Sequence, residues 1–237
     1  MKLFIHAGGK GTRLYPLTKN IPKPLVPVCG KPVLHHLIDW AKSTQVISSI
    51  VLLNGHLAEK IVDNLGDGSN FGINVVHSNE PSALGSGGAI KFANQHINGT
   101  FVCLSGDHLC EVDLRKMLDF HRKNNADITV LVHKSSHPCD SDILKVNTNQ
   151  EVIQFISKHD DHTNSGDLSN SGLCIIEPKV LDLIGSEMVF NFETYLYPKI
   201  ISSGMRMMGY YTEEFMSDMG TPERLQKCEN YLRNKKT

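Results

Sequence analysis

Several features that would identify other classes of protein are absent from this chain. No apolar run reaches the roughly 18 residues that a membrane-spanning helix requires. The six cysteines form no C-x-x-C pair, so neither a zinc ribbon nor a disulfide framework is predicted and reduced thiols are expected. No hexapeptide repeat is present, and we expect no C-terminal left-handed β-helix after the last predicted helix.

Basic residues do not outnumber acidic ones, since the chain has 24 Lys and Arg against 25 Asp and Glu. The formal net charge is −1 and no basic stripe follows the first loop, so nucleic acid is not an expected partner. The chain begins directly with a predicted strand and shows no signal peptide, and we therefore expect a cytoplasmic protein without a membrane partner. With 40% hydrophobic and 21% charged residues, its 237 residues suffice for one sizeable α/β domain.

One local absence points to a function. No Asp or Glu occurs between Met1 and Ile38, whereas six basic residues do: Lys2, Lys10, Arg13, Lys19, Lys23 and Lys31. The predicted strand Lys2–His6 runs into A-G-G-K-G-T-R at residues 7–13, where three glycines in four positions allow backbone N–H groups to point at phosphate oxygens. This region is predicted to bind an anion.

The glycine loop matches neither of the commoner phosphate motifs. The P-loop spacing and the third glycine of the dinucleotide fingerprint are both missing. On the glycines alone, a tight βα turn with incidental basic residues is an equal alternative. Five prolines between residues 16 and 32 exclude a helix from Tyr15 to Gly30, so this arm is expected to lie extended and to hold Lys23 near the loop.

Further along, predicted strands and helices alternate. Helices are predicted at residues 32–45 and 57–65, and strands at residues 49–53 and 73–77. Such alternation is typical of a doubly wound, mostly parallel sheet, in which ligands bind beyond the C-terminal ends of the strands. Residues 143–146 and 152–156 are predicted to form a hairpin with a polar turn.

These motifs resemble those of the sugar-1-phosphate nucleotidyltransferase family. The chain carries G-x-G-T-R-L-x-P-L-T at residues 9–18 and P-K-P-L-x-P-V at residues 22–28, and the resemblance continues over nearly its whole length. It implies a Rossmann-like fold of the nucleotide-diphospho-sugar transferase type, with the hairpin as a small sugar-binding lobe. It also implies one domain over residues 1–237, with nucleotide binding mainly in 1–135, sugar-phosphate binding mainly in 136–215, and a metal-binding Asp and a helix in 216–237.

The resemblance assigns nucleotide-binding roles to two segments. In the first, Arg13 and Lys23 are the expected catalytic residues, and the triphosphate is expected on Ala7, Gly8, Gly9, Gly11 and Thr12. In the second, residues 80–90 resemble the family's Glu-Pro and Leu-Gly-Thr-Ala-Gly-Ala pattern, which implies base and ribose contacts for Glu80, Gly85 and Gly88. Ser86 and Gly87 replace Thr and Ala there, and simple helix entry is the alternative for these glycines.

Two aspartates are expected to hold Mg²⁺. Asp107 follows the predicted strand 100–104, and Asp218 precedes Gly-Thr-Pro in a segment that resembles the family's Asp-Ile-Gly-Thr-Pro. Mg²⁺ prefers oxygen ligands and commonly takes one or two carboxylates together with phosphate oxygens. Helix-capping or turn roles are the alternatives for both residues. A zinc site at Cys103, His108 and Cys110 is rejected, because no suitably spaced fourth ligand follows.

The sugar phosphate is expected on four residues of the later chain. The resemblance implies that Lys158 orients the phosphate and that Asn170, Gly172 and Glu193 contact the sugar, with a first-turn role favouring the helix dipole as the alternative for Glu193. Residues 159–169 are predicted to be a solvated loop rather than a metal cluster of His159, Asp160, Asp161 and His162.

The implied substrates are a nucleoside triphosphate and a sugar 1-phosphate. Residues 137–142 and Lys158-His159 resemble guanylyltransferases of D-glycero-D-manno-heptose 1-phosphate, so GTP with this heptose is favoured over mannose 1-phosphate, or dTTP or UTP with glucose 1-phosphate. An inactive regulatory subunit and a cytidylyltransferase are the rival hypotheses; retention of Arg13, Lys23, Asp107 and Asp218 weighs against the former. A homo-oligomer is left open.

Overall fold

The computed structural model describes residues 1–135, 141–160, 166 and 168–235. The chain divides into two compact units. The first unit comprises Met1–Ala83, Leu104–Val112 and Glu214–Thr237, and the second comprises Leu84–Cys103 and Asp113–Glu213. None of the helices in the described ranges combines enough length with enough apolar character to span a bilayer. The predicted allocation of nucleotide and sugar binding to sequence ranges stays a prediction.

Strands and helices alternate over most of these ranges. The strands are β1 (Lys2–Ala7), β2 (Pro27–Val28), β3 (Lys31–Pro32), β4 (Ser49–Asn54), β5 (Asn74–Asn79), β6 (Phe101–Ser105), β7 (His108–Cys110), β8 (Ile128–Lys134), β9 (Ile143–Val146), β10 (Val152–Ile156), β11 (Leu168–Ile176), β12 (Met207–Tyr211) and β13 (Met216–Asp218). The helices are α1 (Val33–Thr44), α2 (Ala58–Leu65), α3 (Gly85–Phe92), α4 (Leu114–Lys123), α5 (Phe192–Ser202) and α6 (Pro222–Lys235).

Three parallel strands of the first unit end at a common edge. β1 pairs with β4, and β4 pairs with β5, so that Ala7, Asn54 and Asn79 lie side by side at the C-terminal ends. Every residue of β4 is buried. Strands covered on both faces are nearly continuous apolar runs, which is why sequence alone located β1 and β4.

Helix α1 confirms its predicted amphipathic pattern. Its apolar residues Val33, Leu34, Leu37, Ile38 and Ala41 are fully buried. The predicted first helical residue, Pro32, instead lies just before the helix in extended conformation, because it pairs with Pro27 in the β2–β3 ladder.

The proline-rich arm differs in part from the prediction. No α-helix forms between residues 15 and 30, all of which are described, but the arm is not extended throughout. A 3₁₀ turn spans Lys23–Leu25, and Val26 N donates to Lys23 O at 3.1 Å. One such turn tolerates Pro24, because the first N–H groups of a helix have no partner within the helix.

The second unit combines parallel and antiparallel pairing. β8 pairs in parallel with β12 and antiparallel with β11, and β9 and β10 form the predicted hairpin. Because the β1–β4, β4–β5 and β8–β12 ladders are parallel, the predicted α/β class with a largely parallel central sheet is confirmed.

Strand β11 begins earlier than the sequence indicated. The apolar run at residues 173–176 predicts a strand from Leu173, but β11 starts at Leu168, so Asn170 and Gly172 lie inside it. The pairing register with β8 shifts between Asn170 and Cys174, and Gly172 has a φ of 76°. A left-handed glycine and a register shift mark an irregularity within the strand. The polar residues at this irregularity have the composition of a loop, so the sequence pattern does not predict a strand there.

Candidate active site

The glycine loop begins where β1 ends. A Cβ atom added to Gly8 would lie 3.0 Å from Glu80 Oε1, and one added to Gly55 would lie 2.5 Å from the same oxygen. The residues that follow β1, β4 and β5 therefore converge, and glycine at both positions leaves room for the Glu80 carboxylate. Gly55 was not predicted; its signal is a glycine directly after a fully buried strand.

The far end of the loop is fixed by Gly11 and Thr18. Gly11 has a φ of 64°, and its carbonyl accepts a hydrogen bond from the fully buried Thr18 hydroxyl at 2.7 Å. An added Cβ at Gly11 would lie 3.2 Å from Lys23 Cβ, whereas one at Gly9 would have nothing within 4 Å. The loop is thus shaped at Gly11 and open at Gly9, and Thr12 begins the short 3₁₀ turn that follows.

Lys23 and Asp107 form a mostly buried ion pair. Lys23 Nζ donates to Asp107 Oδ2, and the two side chains are 12% and 15% exposed. Asp107 Oδ1 accepts from Ser105 Oγ at 2.7 Å and lies 2.9 Å from His108 Nδ1. Burial raises the pKa of Asp107, but His108 and Lys23 lower it by more, so the net pKa lies far below the ordinary value. Asp107 is therefore an ionised carboxylate at neutral pH.

Strand pairing brings Asp218 next to Asp107. β13 pairs antiparallel with β7 so that Asp218 lies opposite His108, and Met219 N donates to Asp107 O at 2.9 Å. Burial raises the pKa of Asp218, while His108, Arg224 and the Gly220 N–H lower it, and the net shift is downward. Two ionised carboxylates thus meet, although 111 positions separate them in the sequence.

Arg224 and Arg13 surround Asp218. Arg224 Nη1 donates to Asp218 Oδ1 at 3.0 Å and to Oδ2 at 2.8 Å, and Gly220 N donates to Oδ1 at 2.8 Å. A Cβ added to Gly220 would lie 2.6 Å from Asp218 Oδ1 and 3.0 Å from Arg13 Nη2. Gly220 therefore lets the Arg13 guanidinium lie beside this carboxylate.

Three residues of this cluster were missed by sequence reasoning. The sequence presents His108 only as a rejected zinc ligand, and its patterns predict no role for Arg224 or Gly220. Their signals are a histidine directly after Gly-Asp and an arginine in the first turn of the helix after the second aspartate.

The donor atoms of the two aspartates fit Mg²⁺. Both are ionised oxygen donors, and hard divalent cations prefer carboxylate oxygens. Within the described ranges, no group of three or more His, Cys, Asp or Glu side chains could hold a metal ion. A metal at this pair would therefore need further ligands from water or from phosphate oxygens.

In the second unit, the segment Gly85–Gly88 packs tightly against the backbone of residues 188–190. Added Cβ atoms would lie 2.5 Å from Phe190 O at Gly85, 2.1 Å from the Phe190 ring at Gly87 and 2.1 Å from Met188 O at Gly88. Gly87 N and Gly88 N donate to Phe190 O at 3.0 and 3.4 Å. These glycines therefore have a packing explanation within the unit, and nucleotide contacts of Gly85 and Gly88 stay a prediction.

Glu193 lies in the first turn of α5, as predicted. Asn191 caps this helix by accepting from Thr194 N at 3.1 Å. Ser86 Oγ accepts from Phe192 N at 2.8 Å and donates to Glu193 Oε2 at 3.3 Å. Ser86 had been noted only as a small substitute for threonine, so its contact with Glu193 was not foreseen.

Asn170 is fixed by its surroundings in β11. Its Oδ1 accepts from Gly172 N at 3.0 Å, and its side chain lies close to the fully buried Tyr197. Burial raises the pKa of Tyr197 well above its ordinary value, so the phenol is neutral at physiological pH. Tyr197 was not predicted, because its role depends on packing of α5 against residues distant in sequence.

Lys158 follows the hairpin and is exposed. Its backbone N–H donates to Asp142 Oδ1 at 2.9 Å, and its ammonium group has no protein partner in the part of the chain that the structure describes. The solvated loop predicted at 159–169 falls partly on residues 161–165 and 167, which lie outside the described residues, as do Asp161 and His162. Residues 137–140, used to predict the heptose substrate, also lie outside them.

Comparison with known proteins identifies the family. Residues 2–235 match the family model described as nucleotidyl transferase, and the chain belongs to this family. A mannose-1-phosphate guanylyltransferase of Mycobacterium tuberculosis is 33% identical over 91% of this chain and 60% of its own length. A UTP–glucose-1-phosphate uridylyltransferase of Synechocystis is 32% identical over 86% of this chain and 56% of its own length. The chain thus spans little more than half of these curated relatives.

Solved structures match over the whole chain. HddC from Yersinia pseudotuberculosis, in complex with GMP-PN, has a TM-score of 0.82 and 27% identity, and the match covers 98% of this chain and 99% of that one. An apo UDP-glucose pyrophosphorylase has a TM-score of 0.84 at 18% identity, covering 100% and 99% of the two chains. The second likeness supports the fold alone.

Proposed function

We propose that this member of the nucleotidyl transferase family transfers a nucleoside monophosphate to a sugar 1-phosphate. A phosphate oxygen of the sugar 1-phosphate attacks the α-phosphorus of a nucleoside triphosphate, the bond from that phosphorus to the bridging oxygen breaks, and pyrophosphate leaves. The observation that carries this proposal is the meeting of Lys23, Asp107, Asp218 and Arg13 in the unit that contains the glycine loop.

The attacking group is already an anion at neutral pH, so the reaction needs no general base. The protein must instead bring two polyanions together and neutralise the charge that develops at the α-phosphorus. We assign the triphosphate to the N–H groups of residues 7–12 and to Arg13. Lys23, held by its 3₁₀ turn, is assigned to the α-phosphate.

Asp107 and Asp218 would hold Mg²⁺. When bound, the ion supplies positive charge beside the phosphate oxygens. The protein contributes two carboxylates that stay ionised, because Lys23 and His108 lower the pKa of one and His108 and Arg224 lower that of the other. The contact of Lys23 with Asp107 supports a role for the lysine beside the proposed metal and the α-phosphate.

The second unit supplies the proposed sugar-binding residues. We assign sugar contacts to Asn170, Gly172 and Glu193, and orientation of the sugar phosphate to the exposed ammonium group of Lys158. The fixed positions of Asn170 and Glu193 support this, because a binding residue that is already ordered loses little entropy when the ligand arrives. Base and ribose contacts are assigned to Glu80, Gly85 and Gly88.

GTP and D-glycero-D-manno-heptose 1-phosphate are the substrates that we favour, with mannose 1-phosphate second. The guanine nucleotide in the HddC complex and the relatives named as mannose-1-phosphate guanylyltransferases support the base. The heptose rests on the motif resemblance around residues 137–142 and 158–159.

The test is a pyrophosphate-release panel. Four nucleoside triphosphates are crossed with heptose, mannose and glucose 1-phosphates in the presence of Mg²⁺. We expect the highest kcat/KM with GTP and the heptose. A preference for dTTP or UTP with glucose 1-phosphate would overturn the substrates and keep the reaction, whereas no release from any pair would overturn the reaction and favour an inactive regulatory subunit.

A further inference from the structure

Two segments of the second unit, about 105 positions apart, are joined by a compact set of hydrogen bonds. Phe190 N donates to Leu84 O at 3.0 Å, and Phe190 O accepts from Gly87 N at 3.0 Å and from Gly88 N at 3.4 Å. We call residues 84–88 and 190–193 the clasp. In the proposed function, residues 84–88 of the clasp contact the nucleotide and residues 190–193 include the sugar-binding Glu193.

The glycines of the clasp are tightly packed against the neighbouring chain. Gly85, Gly87 and Gly88 all lack room for a Cβ atom because residues 188–190 pack directly on them. Interiors packed this closely transmit displacements, because no void absorbs them. A shift of residues 84–88 would therefore move residues 190–193 as well.

Ser86 makes the side-chain contact within the clasp. Its hydroxyl oxygen accepts from Phe192 N at 2.8 Å, and its proton is directed to Glu193 Oε2 at 3.3 Å. The hydroxyl thus uses both its acceptor and its donor capacity on consecutive residues of α5. A glutamate side chain has several rotamers, and a hydrogen bond to one of its oxygens favours some of them over others.

We propose that Ser86 is a positioning residue for Glu193, and that through it the nucleotide segment sets the orientation of the sugar-binding carboxylate. This inference rests on the proposed function, because it assigns Glu193 to the sugar. Removal of the hydroxyl would leave Glu193 in place on its helix but without the hydrogen bond from Ser86 to its carboxylate. Recognition of a sugar hydroxyl would weaken, while nucleotide contacts made by the backbone would persist.

A purely structural role for Ser86 makes a different prediction. Helix α5 already has a cap at Asn191, which accepts from Thr194 N at 3.1 Å. If Ser86 served only as a second cap, its loss would lower stability and would affect both substrates alike. A change in the KM for the sugar 1-phosphate alone would indicate a positioning role for Ser86 rather than a helix-capping role.

The experiment is a double-mutant cycle on the full chain with the variants S86A, E193Q and S86A/E193Q, together with S86T. Initial rates are measured with GTP and D-glycero-D-manno-heptose 1-phosphate, and in parallel with GTP and mannose 1-phosphate and with dTTP and glucose 1-phosphate. The matched control is S202A, which removes an exposed serine hydroxyl from the last turn of α5, the helix that carries Glu193. Thermal unfolding of every variant identifies loss of folding.

We expect S86A to raise the KM for the sugar 1-phosphate about tenfold, the low end for a lost hydrogen bond to a charged group. The KM for the nucleotide should change less than about twofold. S86T, which keeps the hydroxyl, should stay within about threefold of wild type, and S86A should add nothing in the E193Q background.

Independent, multiplying effects of S86A and E193Q would overturn the inference, as would equal rises in both KM values. If S86A fails to fold, S86T is decisive: a sugar KM within about threefold of wild type supports the inference, and equal rises in the KM values of both substrates overturn it. Failure of the proposed function looks different, because the wild type itself would then release no pyrophosphate with any of the three substrate pairs.

Discussion

The candidate residues of the two units are held in place by different forces. In the first unit, Lys23, Asp107 and Asp218 are positioned by charge: an ion pair, a guanidinium on one carboxylate and a histidine beside both. In the second, the segment that leads into Glu193 is held by backbone hydrogen bonds and by glycines that leave no room for a Cβ atom, and the Ser86 hydroxyl contacts the Glu193 carboxylate. The first arrangement suits a site that must exchange ionic partners with phosphate and metal. The second suits a site that must hold a shape.

This contrast predicts that isosteric removal of charge damages the first unit without unfolding it. Asp107→Asn and Asp218→Asn should each lower kcat by about 10³-fold, because each removes one of the two carboxylates proposed to hold Mg²⁺. Both variants should still unfold cooperatively in urea, with midpoints below that of wild type because each loses an ion pair. The matched control is Asp119→Asn, an exposed carboxylate on α4, which should leave turnover unchanged. Pyrophosphate release above a tenth of wild type, with Mg²⁺ as the only metal, would refute the two-carboxylate assignment.

Removal of the Lys23 ammonium group should have the next largest effect on turnover. Lys23→Ala is expected to lower kcat about 10²-fold and to change the KM values far less, because charge at the α-phosphate is stabilised mainly in the transition state. Lys116→Ala, on the exposed face of α4, is the control. Unchanged turnover with a raised KM for the nucleotide would show that Lys23 only binds substrate.

In the second unit, adding one methyl group at a tightly packed glycine should lower the stability of the fold. Gly87→Ala places a Cβ atom 2.1 Å from the Phe190 ring, and we expect the free energy of unfolding to fall by ~1–3 kcal/mol. Gly9→Ala, with nothing within 4 Å of the added atom, should change it by less than ~0.5 kcal/mol. Equal stability of the two variants in urea unfolding would contradict steric positioning.

The smallest expected effect concerns pH. The pKa of Asp107 in the folded chain lies below its ordinary value of 3.8, so the native state binds this proton more weakly than the unfolded chain does. Its ionisation therefore stabilises the fold above that value, and this stabilisation is lost as the pH falls toward the folded pKa. The difference in unfolding free energy between wild type and Asp107→Asn should shrink by about 1 kcal/mol from pH ~5 to pH ~3. A constant difference would contradict the charge-based account.

The sequence was most informative where a pattern is local. The buried strands β1 and β4, the amphipathic helix α1 and the β9–β10 hairpin follow from runs and alternations that a few neighbouring residues reveal. The glycine loop and the two aspartates were recognisable because each belongs to a continuous motif.

Contacts between distant segments were not predictable in the same way. His108 meets Asp218 only through the antiparallel register of β7 and β13, and Ser86 meets Glu193 only through the packing of residues 188–190 on α3. Asn170 was misplaced before β11, because polar residues at a register shift resemble a loop. Each of these positions is set by tertiary pairing, which neither periodicity nor spacing encodes.

The central claim, transfer of a nucleoside monophosphate to a sugar 1-phosphate, is tested most directly by product stoichiometry. Wild-type protein is incubated with GTP, Mg²⁺ and D-glycero-D-manno-heptose 1-phosphate, and pyrophosphate, orthophosphate and nucleotide-diphospho-sugar are quantified together. We predict equal amounts of pyrophosphate and nucleotide-diphospho-sugar, with neither formed when the sugar phosphate is omitted. Orthophosphate as the main product, or pyrophosphate released without the sugar phosphate, would contradict the account.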